Sequence, residues 1–240
     1  MRLCGLLLLA ALGGSAAQEH YAPDWPRLEP EILEHFTALV RVDTSNPPGN
    51  ETRAVQAIEA VLEREGIPVQ RFALDPARAN LVARLKGNGS KKPILLMGHT
   101  DVVGVQRERW SVDPFAAIRK DDVIYGRGAS DDKDHVVAGM IVMLLLKRLH
   151  VKLDRDVIFL AEAGEEGSTQ VGIDYLVNQH WPAISAEFAL AEGGSVIFES
   201  GRAHHALVTV SEKVPRGVRL VARGPSGHGS RPTPANPVVR

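Results

Sequence analysis

The sequence predicts an α/β fold, a mixed and mostly parallel sheet flanked by helices, followed by the opening of a smaller α+β domain. Two observations carry this expectation. Short, nearly continuous apolar runs at residues 94–97, 157–161 and 188–191 alternate with longer helix-patterned segments, as in a sheet buried on both faces. Each of those runs also leads into acidic or histidine residues, which is how sites collect along the carboxyl edge of an open sheet.

The elements follow in order. Ile32, Leu33, Phe36, Leu39 and Val40 recur at helical spacing, and Val55, Ile58 and Leu62 do so again ahead of Gly66, a residue suited to a helix C-terminus. Two amphipathic helices therefore open the domain. Residues 69–74, 81–85 and 94–97 are apolar or alternating runs parted by turn residues such as Asn88-Gly89, and read as strands. Residues 136–149 read as a long apolar helix, 157–161 as a strand, 173–181 as a helix and 188–191 as a further strand. Near Lys213 the texture changes. Pro215, Arg216 and Gly217 interrupt two apolar runs, 206–210 and 218–222, which puts a domain boundary there. The expected organisation is a leader at 1–17, a main domain at 18–213 and the beginning of a second domain at 214–240.

Composition narrows the function classes. The 240 residues are 44% hydrophobic and 24% charged, ordinary globular proportions. Lys+Arg 28 against Asp+Glu 29 leaves no electrostatic footprint for nucleic acid or a membrane surface, so neither partner is expected. The one cysteine, Cys4, makes no internal disulfide and no thiolate zinc site, so a metal here would be held by histidine and carboxylates. The first residues read as an export signal: Arg2, an apolar run at 3–12 too short to span a bilayer, then Ser15, Ala16 and Ala17, suited to cleavage before Gln18. The expected location is periplasmic or extracellular. Residues 232–240 stop where an apolar segment begins, with no cap and no polar tail, so the chain reads as the N-terminal part of a longer protein.

The candidate chemistry lies at the strand ends. Residues 94–97 lead into His99-Thr100-Asp101, 157–161 into Gly164-Glu165-Glu166, and 188–191 into Glu192-Gly193-Gly194, while Asp131-Asp132 sits just before the long helix. Gathered at one edge, these carboxylates and the imidazole make an oxygen-rich set suited to zinc, or to manganese or cobalt, in a hydrolytic site. Two ions suit it better than one, because clustered carboxylates repel one another and a dinuclear centre neutralises them. His99 and Asp101 are two apart on an extended segment and point the same way, so Asp101 can accept the ring N–H that metal binding leaves over. Glu165 and Glu166 are consecutive and point different ways, so one can bind metal while the other acts as general base. Taken singly, such motifs are common turns and caps; their order and placement set these apart. His204 and His205, adjacent on a strand, are expected to point oppositely and to share no ligand.

Five runs together resemble the M20 metallopeptidases, which include glutamate carboxypeptidase, carnosinase-type dipeptidases, aminoacylases and carboxypeptidase S-like enzymes. They are Leu95-Leu96-Met97-Gly98-His99-Thr100-Asp101-Val102-Val103; Trp110 with Asp113-Pro114-Phe115; Tyr125-Gly126-Arg127-Gly128-Ala129-Ser130-Asp131-Asp132-Lys133; Glu162-Ala163-Gly164-Glu165-Glu166-Gly167; and Ala191-Glu192-Gly193-Gly194. Ser45-Asn46-Pro47-Pro48-Gly49-Asn50-Glu51 and Gly224-Pro225-Ser226-Gly227-His228-Gly229-Ser230-Arg231-Pro232 are similar to two further landmarks of that family.

The resemblance implies a zinc exopeptidase-like catalytic domain in which His99 and Glu192 hold one Zn2+, Glu166 helps hold a second, and Asp131 bridges both. It makes Asp101 the partner of His99, makes Glu165 the general base, and implies a cis peptide between Asp131 and Asp132. Residues 214–240 would open a lid that mediates a homodimer and brings His228 to the substrate or oxyanion. The implied reaction is amide hydrolysis of small peptides or N-acyl amino acids, of dipeptidase or carboxypeptidase type, with a last histidine ligand beyond Arg240. Three departures stand out. Lys133 is followed by Asp134-His135 rather than by small residues, with Asp134 placed to cap the helix; Ala191 stands where Asp is common, and Gly229 where Ser is usual. Two rival readings are an aminopeptidase-type zinc exopeptidase without a lid, against which Gly227-His228 argues, and a non-catalytic metal- or peptide-binding relic.

Overall fold

The computed structural model describes residues 21–211, 217–228, 234 and 236. The expected leader at 1–17, Cys4 included, and residues 229–232 of the second landmark lie outside them. Helix α1 (Trp25–Val40) begins where the Asp24 carboxylate accepts a hydrogen bond from the Arg27 amide at 3.3 Å. The two-residue strand β1 (Ser45–Asn46) precedes α2 (Glu51–Arg64), after which Gly66 at φ +66° reverses the chain in a conformation that favours glycine. Strands β2 (Val69–Phe72), β3 (Asn80–Leu85) and β4 (Ile94–His99) follow, then the short β5 (Val102–Val103), which pairs in parallel with β1. A hairpin of β6 (Ile118–Lys120) and β7 (Val123–Tyr125) leads to the long helix α3 (Lys133–Arg148). Strand β8 (Val157–Glu162), helices α4 (Ile173–Gln179) and α5 (Trp181–Ile184), and strand β9 (Phe188–Leu190) complete this unit. Among the described residues no helix is long and apolar enough to cross a membrane.

The central sheet has the order β2-β3-β8-β4-β9, antiparallel on its first two ladders and parallel on its last two. It is the mixed, helix-flanked sheet that the sequence predicts. Residue alternation divides it between two cores. Leu81, Ala83, Val157, Phe159 and Ala161 face the core shared with α1, α2 and α3, while Val82, Leu95, Ile158 and Leu160 face Leu176 and Ile184 of α4 and α5. β8 is buried at every position and so reads as a continuous apolar run rather than an alternating one.

Because β4 runs parallel to β8 and β9 and lies between them, its carboxyl end at His99 stands in register with Glu162 and on the same edge as the end of β9. α3 starts at Lys133, three residues earlier than its apolar pattern suggests. Asp132 occupies its N-cap position, so Asp134 falls inside the first turn, where a carboxylate faces the positive end of the helix dipole rather than capping it.

The chain divides into two compact units, Met1–Glu192 and Gly193–Arg240, earlier than the change of texture at Lys213. The second unit contains an antiparallel pair, β10 (Ser195–Glu199) and β11 (Arg202–Leu207), and residues 218–222, an apolar run in sequence, form no strand. A bulge sets Ile197 opposite His205 and Phe198 opposite Ala203, leaving His204 as the extra residue. The expectation that His204 and His205 diverge therefore fails, since a bulged residue escapes strand alternation. Their Nδ1 atoms lie 2.8 Å apart.

Asp156, just before β8, pins that strand to β3. Its carboxylate accepts hydrogen bonds from Arg84 Nη1 (3.0 Å), Lys86 Nζ (2.8 Å) and the Gly87 amide (3.0 Å). Burial alone would raise its pKa, but the hydrogen bonds from Lys86, Gly87 and Arg84 bring it down to about 2. A carboxyl depressed in the folded state contributes stability above its ordinary pKa of 3.8 and loses it as the pH falls toward 2. Asp156→Asn is expected to destabilise the protein at pH 7 by about 1–2 kcal/mol, roughly 2–8 °C in Tm, with the difference from wild type shrinking below pH 4. Thermal melts across that range check it, and an equal deficit at pH 2 and pH 7 would contradict the assignment.

Candidate metal centre

The carboxyl edge of the sheet is built around the turn that follows β4. Thr100 locks the turn: its amide and hydroxyl both donate to the Glu162 carbonyl at 2.8 Å, and its own carbonyl accepts from Thr44 Oγ1 at 2.6 Å. His99 and Asp101 are thereby held on either side of a fixed residue, both fully buried. His99 Nδ1 lies 3.0 Å from the Asp101 main-chain oxygen and 3.5 Å from its Oδ1. The expectation that the Asp101 side chain takes the ring N–H is met only at long range, because β4 ends at His99 and the alternation that would align the two side chains ends with it.

The Asp101 carboxylate is directed mainly elsewhere. It accepts from Asn46 Nδ2 at 2.8 Å and from the amides of Glu165 and Glu166 at 3.1 Å each. Although burial would raise its pKa, the hydrogen bonds from His99 and Asn46 and the His99 charge keep it below the usual range, so it is an anion.

His99 Nε2 faces the open side of the edge. Asp131 Oδ1 stands 3.0 Å away, Glu192 Oε2 3.7 Å and Glu165 Oε2 3.8 Å. The Asp131–Asp132 peptide is cis. Asp132 turns inward, its Oδ2 accepting the His99 amide at 3.0 Å. That approach explains Gly98, where a Cβ would lie 2.7 Å from Asp132 Oδ2. Two groups of donors that include His99 each gather within 4.8 Å: His99, Asp132 and Glu192; and His99, Glu165 and Glu166; a third, Asp132, Asp134 and His135, lies at the start of α3. Glu165 and Glu166 therefore offer oxygens to one locality rather than diverging, because they occupy a loop and not a strand.

The donor set fits a divalent cation. It comprises one imidazole and several carboxylates, with no sulfur, a combination that suits zinc, manganese or cobalt. Its electrostatics agree. Burial, reinforced by the charges of their acidic neighbours and opposed by that of His99, raises the pKa of Glu165 and of Glu166, and burial pushes Asp132 up to about 6. Burial would lower the His99 pKa, but hydrogen bonding to Asp101 and the charges of Asp101, Asp132 and Glu165 hold it up at about 10. Negative charge at this edge exceeds what one imidazolium offsets, which is the condition under which a bound cation is stabilised.

The structure thus brings His99, Asp101, Asp131, Glu165, Glu166 and Glu192 to one edge. His228 is an exposed residue of the second unit. Several residues at or beside this edge carry no role in the sequence reading. Asp132 is one. Glu162 is buried, its pKa raised to about 7 by burial, with Oε1 accepting the Ile173 amide. Lys133 is fully buried, its amine donating to the Val42 carbonyl at 2.6 Å and lowered by burial to about 8. Asn46, Ser168 and Arg78 stand behind Asp101; the Ser45–Glu51 landmark was the one signal that pointed toward them.

Comparison with known proteins agrees with this geometry. The sequence profile described as Peptidase family M20/M25/M40 matches residues 95–224. Aminoacylase-1 of Sus scrofa is 31% identical over 199 residues, 82% of this chain and 48% of that protein. The N-formyl-4-amino-5-aminomethyl-2-methylpyrimidine deformylase of Bacillus subtilis is 31% identical over 140 residues, 57% of this chain and 33% of that protein. Among solved structures, the M20 family metallo-carboxypeptidase Sso-CP2 of Sulfolobus solfataricus superposes with a TM-score of 0.61 at 22% identity, covering 69% of this chain and 38% of that one. The chain thus spans half or less of the length of these relatives. A profile match over more than half of the chain, running from β4 past Glu192, establishes that it belongs to Peptidase family M20/M25/M40.

Proposed function

We propose that the protein hydrolyses the amide bond of small peptides or N-acyl amino acids with two divalent cations, zinc in the first instance and manganese or cobalt as substitutes. The observation that carries the proposal is the convergence of His99, Glu165, Glu166 and Glu192 at one sheet edge, beside an Asp101 that holds the glutamate loop. An aminoacylase and an N-formyl deformylase among the relatives support an acylated amine as substrate.

His99 and Glu192 would hold one ion and Glu166 the other, with Asp131 between them. Two such ions supply Lewis-acid polarisation of the scissile carbonyl and a more acidic water. The residues of this chain do the rest. Asp101 keeps the His99 ring and the Glu165–Glu166 main chain in place. Glu165, half-exposed at the edge, takes the proton of the attacking water on its carboxylate and returns it to the leaving amine nitrogen. His228 is assigned to the oxyanion side of the substrate, and the segment that carries it to a lid through which two copies pair; both assignments rest on the Gly224–Pro232 landmark. Export rests on the apolar run at 3–12 and the small residues before Gln18.

Two measurements test the proposal. Glu165→Gln is expected to lower turnover of an N-acetyl amino acid by about 10²- to 10⁴-fold while zinc still binds, and undiminished hydrolysis would refute the general-base assignment. Zinc at about 100 times its Kd is expected to stabilise the protein by about 2.7 kcal/mol, roughly 5–10 °C in Tm, reversibly with chelator. His99→Ala is expected to abolish that shift, and its persistence would remove His99 from the metal site.

A further inference from the structure

The Asp101 carboxylate ends a buried polar chain drawn from four separate stretches of sequence. Glu51, the first residue of α2, is fully buried and paired with Arg78 of the loop between β2 and β3, whose Nε lies 3.0 Å from Glu51 Oε2. A guanidinium occupied only by that pairing would close on itself. Arg78 instead sends Nη1 to Ser168 Oγ at 2.8 Å. Ser168 Oγ also accepts from Asn46 Nδ2 at 2.7 Å, and Asn46 Nδ2 donates its other hydrogen to Asp101 Oδ2 at 2.8 Å. Arg78, Ser168 and Asn46 are each more than nine-tenths buried.

The direction of every bond is determined. Arg78 can only donate, so Ser168 must accept from it, and the Asn46 amide must present nitrogen because a flipped oxygen would face the Asp101 carboxylate. Gly49, at φ +83°, gives the chain its room, since a side chain there would run into the Arg78 guanidinium.

We propose that Arg78, Ser168 and Asn46 are positioning residues: they aim the Asp101 carboxylate, which through the Glu165 and Glu166 amides fixes the loop carrying the base and a metal ligand. The inference rests on the function proposed above. None of the three residues meets the substrate. Arg78 and Ser168 act through Asn46 and Asp101, Asn46 also reaching the Glu166 carbonyl at 3.3 Å, and hydrogen bonds of this kind behind a metal site alter affinity or activity by about 10- to 100-fold.

The test uses the full chain with Zn2+ alone as probe. Ser168→Ala removes the hydroxyl with little change of shape. It is expected to weaken zinc affinity about 10-fold in a competition titration and to lower kcat for an N-acetyl amino acid by a similar factor at unchanged KM, with Ser168→Thr restoring both. A merely structural role would lower the metal-free Tm and leave affinity and kcat at wild-type values, which would overturn the proposal. Should Ser168→Ala fail to fold, Asn46→Ala, which leaves Arg78 paired with both Glu51 and Ser168, decides on the same readouts. If the zinc-loaded wild type hydrolyses no N-acylated amine the function reading fails, and if Glu165→Gln hydrolyses as wild type does only the general-base assignment fails; in either case the zinc affinities still decide the positioning role.

Discussion

The Asp101 carboxylate is the point on which the site depends. It accepts hydrogen bonds from three donors that belong to β1 and to the loop after β8, and it follows His99 by two residues across a turn locked by Thr100. An ionised carboxylate buried this deeply is tolerated only when donors surround it, and here two of the three donors are the backbone amides of Glu165 and Glu166. Solvation of one anion and placement of two functional side chains are therefore the same set of bonds.

The sheet supplies the other half of the constraint. β4 lies between two parallel neighbours, so three strand ends open on one edge, and residues distant in sequence arrive within a few ångströms of His99. The irregular segment after β8 is anchored at its two buried ends, Ala163 and Val171, by polar side chains that satisfy the backbone. Asn80 accepts the Ala163 amide at 2.9 Å and donates to the Val171 carbonyl at 2.8 Å, while Glu162 accepts the Ile173 amide. A loop so tied can carry charged groups to fixed positions, as a freely solvated one cannot.

Much of this was legible in one dimension. The apolar runs at 94–97 and 157–161 are strands because burial on both faces removes the polar alternation, and that signal survives in any single sequence. The placement of His99, Glu165 and Glu192 just past such runs was equally visible. The orientation of side chains in the turns was not. The closer approach of His99 to the Asp101 carbonyl than to its carboxylate, the shared locality of Glu165 and Glu166, and the approach of His204 to His205 all occur where strand geometry stops or is interrupted, and the rule of alternation stops with it.

Sequence alone determined the fold class, the strand ends that carry candidate ligands, and a candidate donor set of imidazole and carboxylates without sulfur, because hydrophobic period and residue type are local properties. Tertiary structure decided which groups meet. Glu51, Arg78, Ser168 and Asn46 look like ordinary surface or turn residues in the sequence, and their burial as one chain behind Asp101 depends on four segments converging. A buried ion pair and its hydrogen bonds carry no periodicity, so apart from the Ser45–Glu51 landmark nothing local announces them; they exist only once the sheet and the helices over it have excluded water from their surroundings.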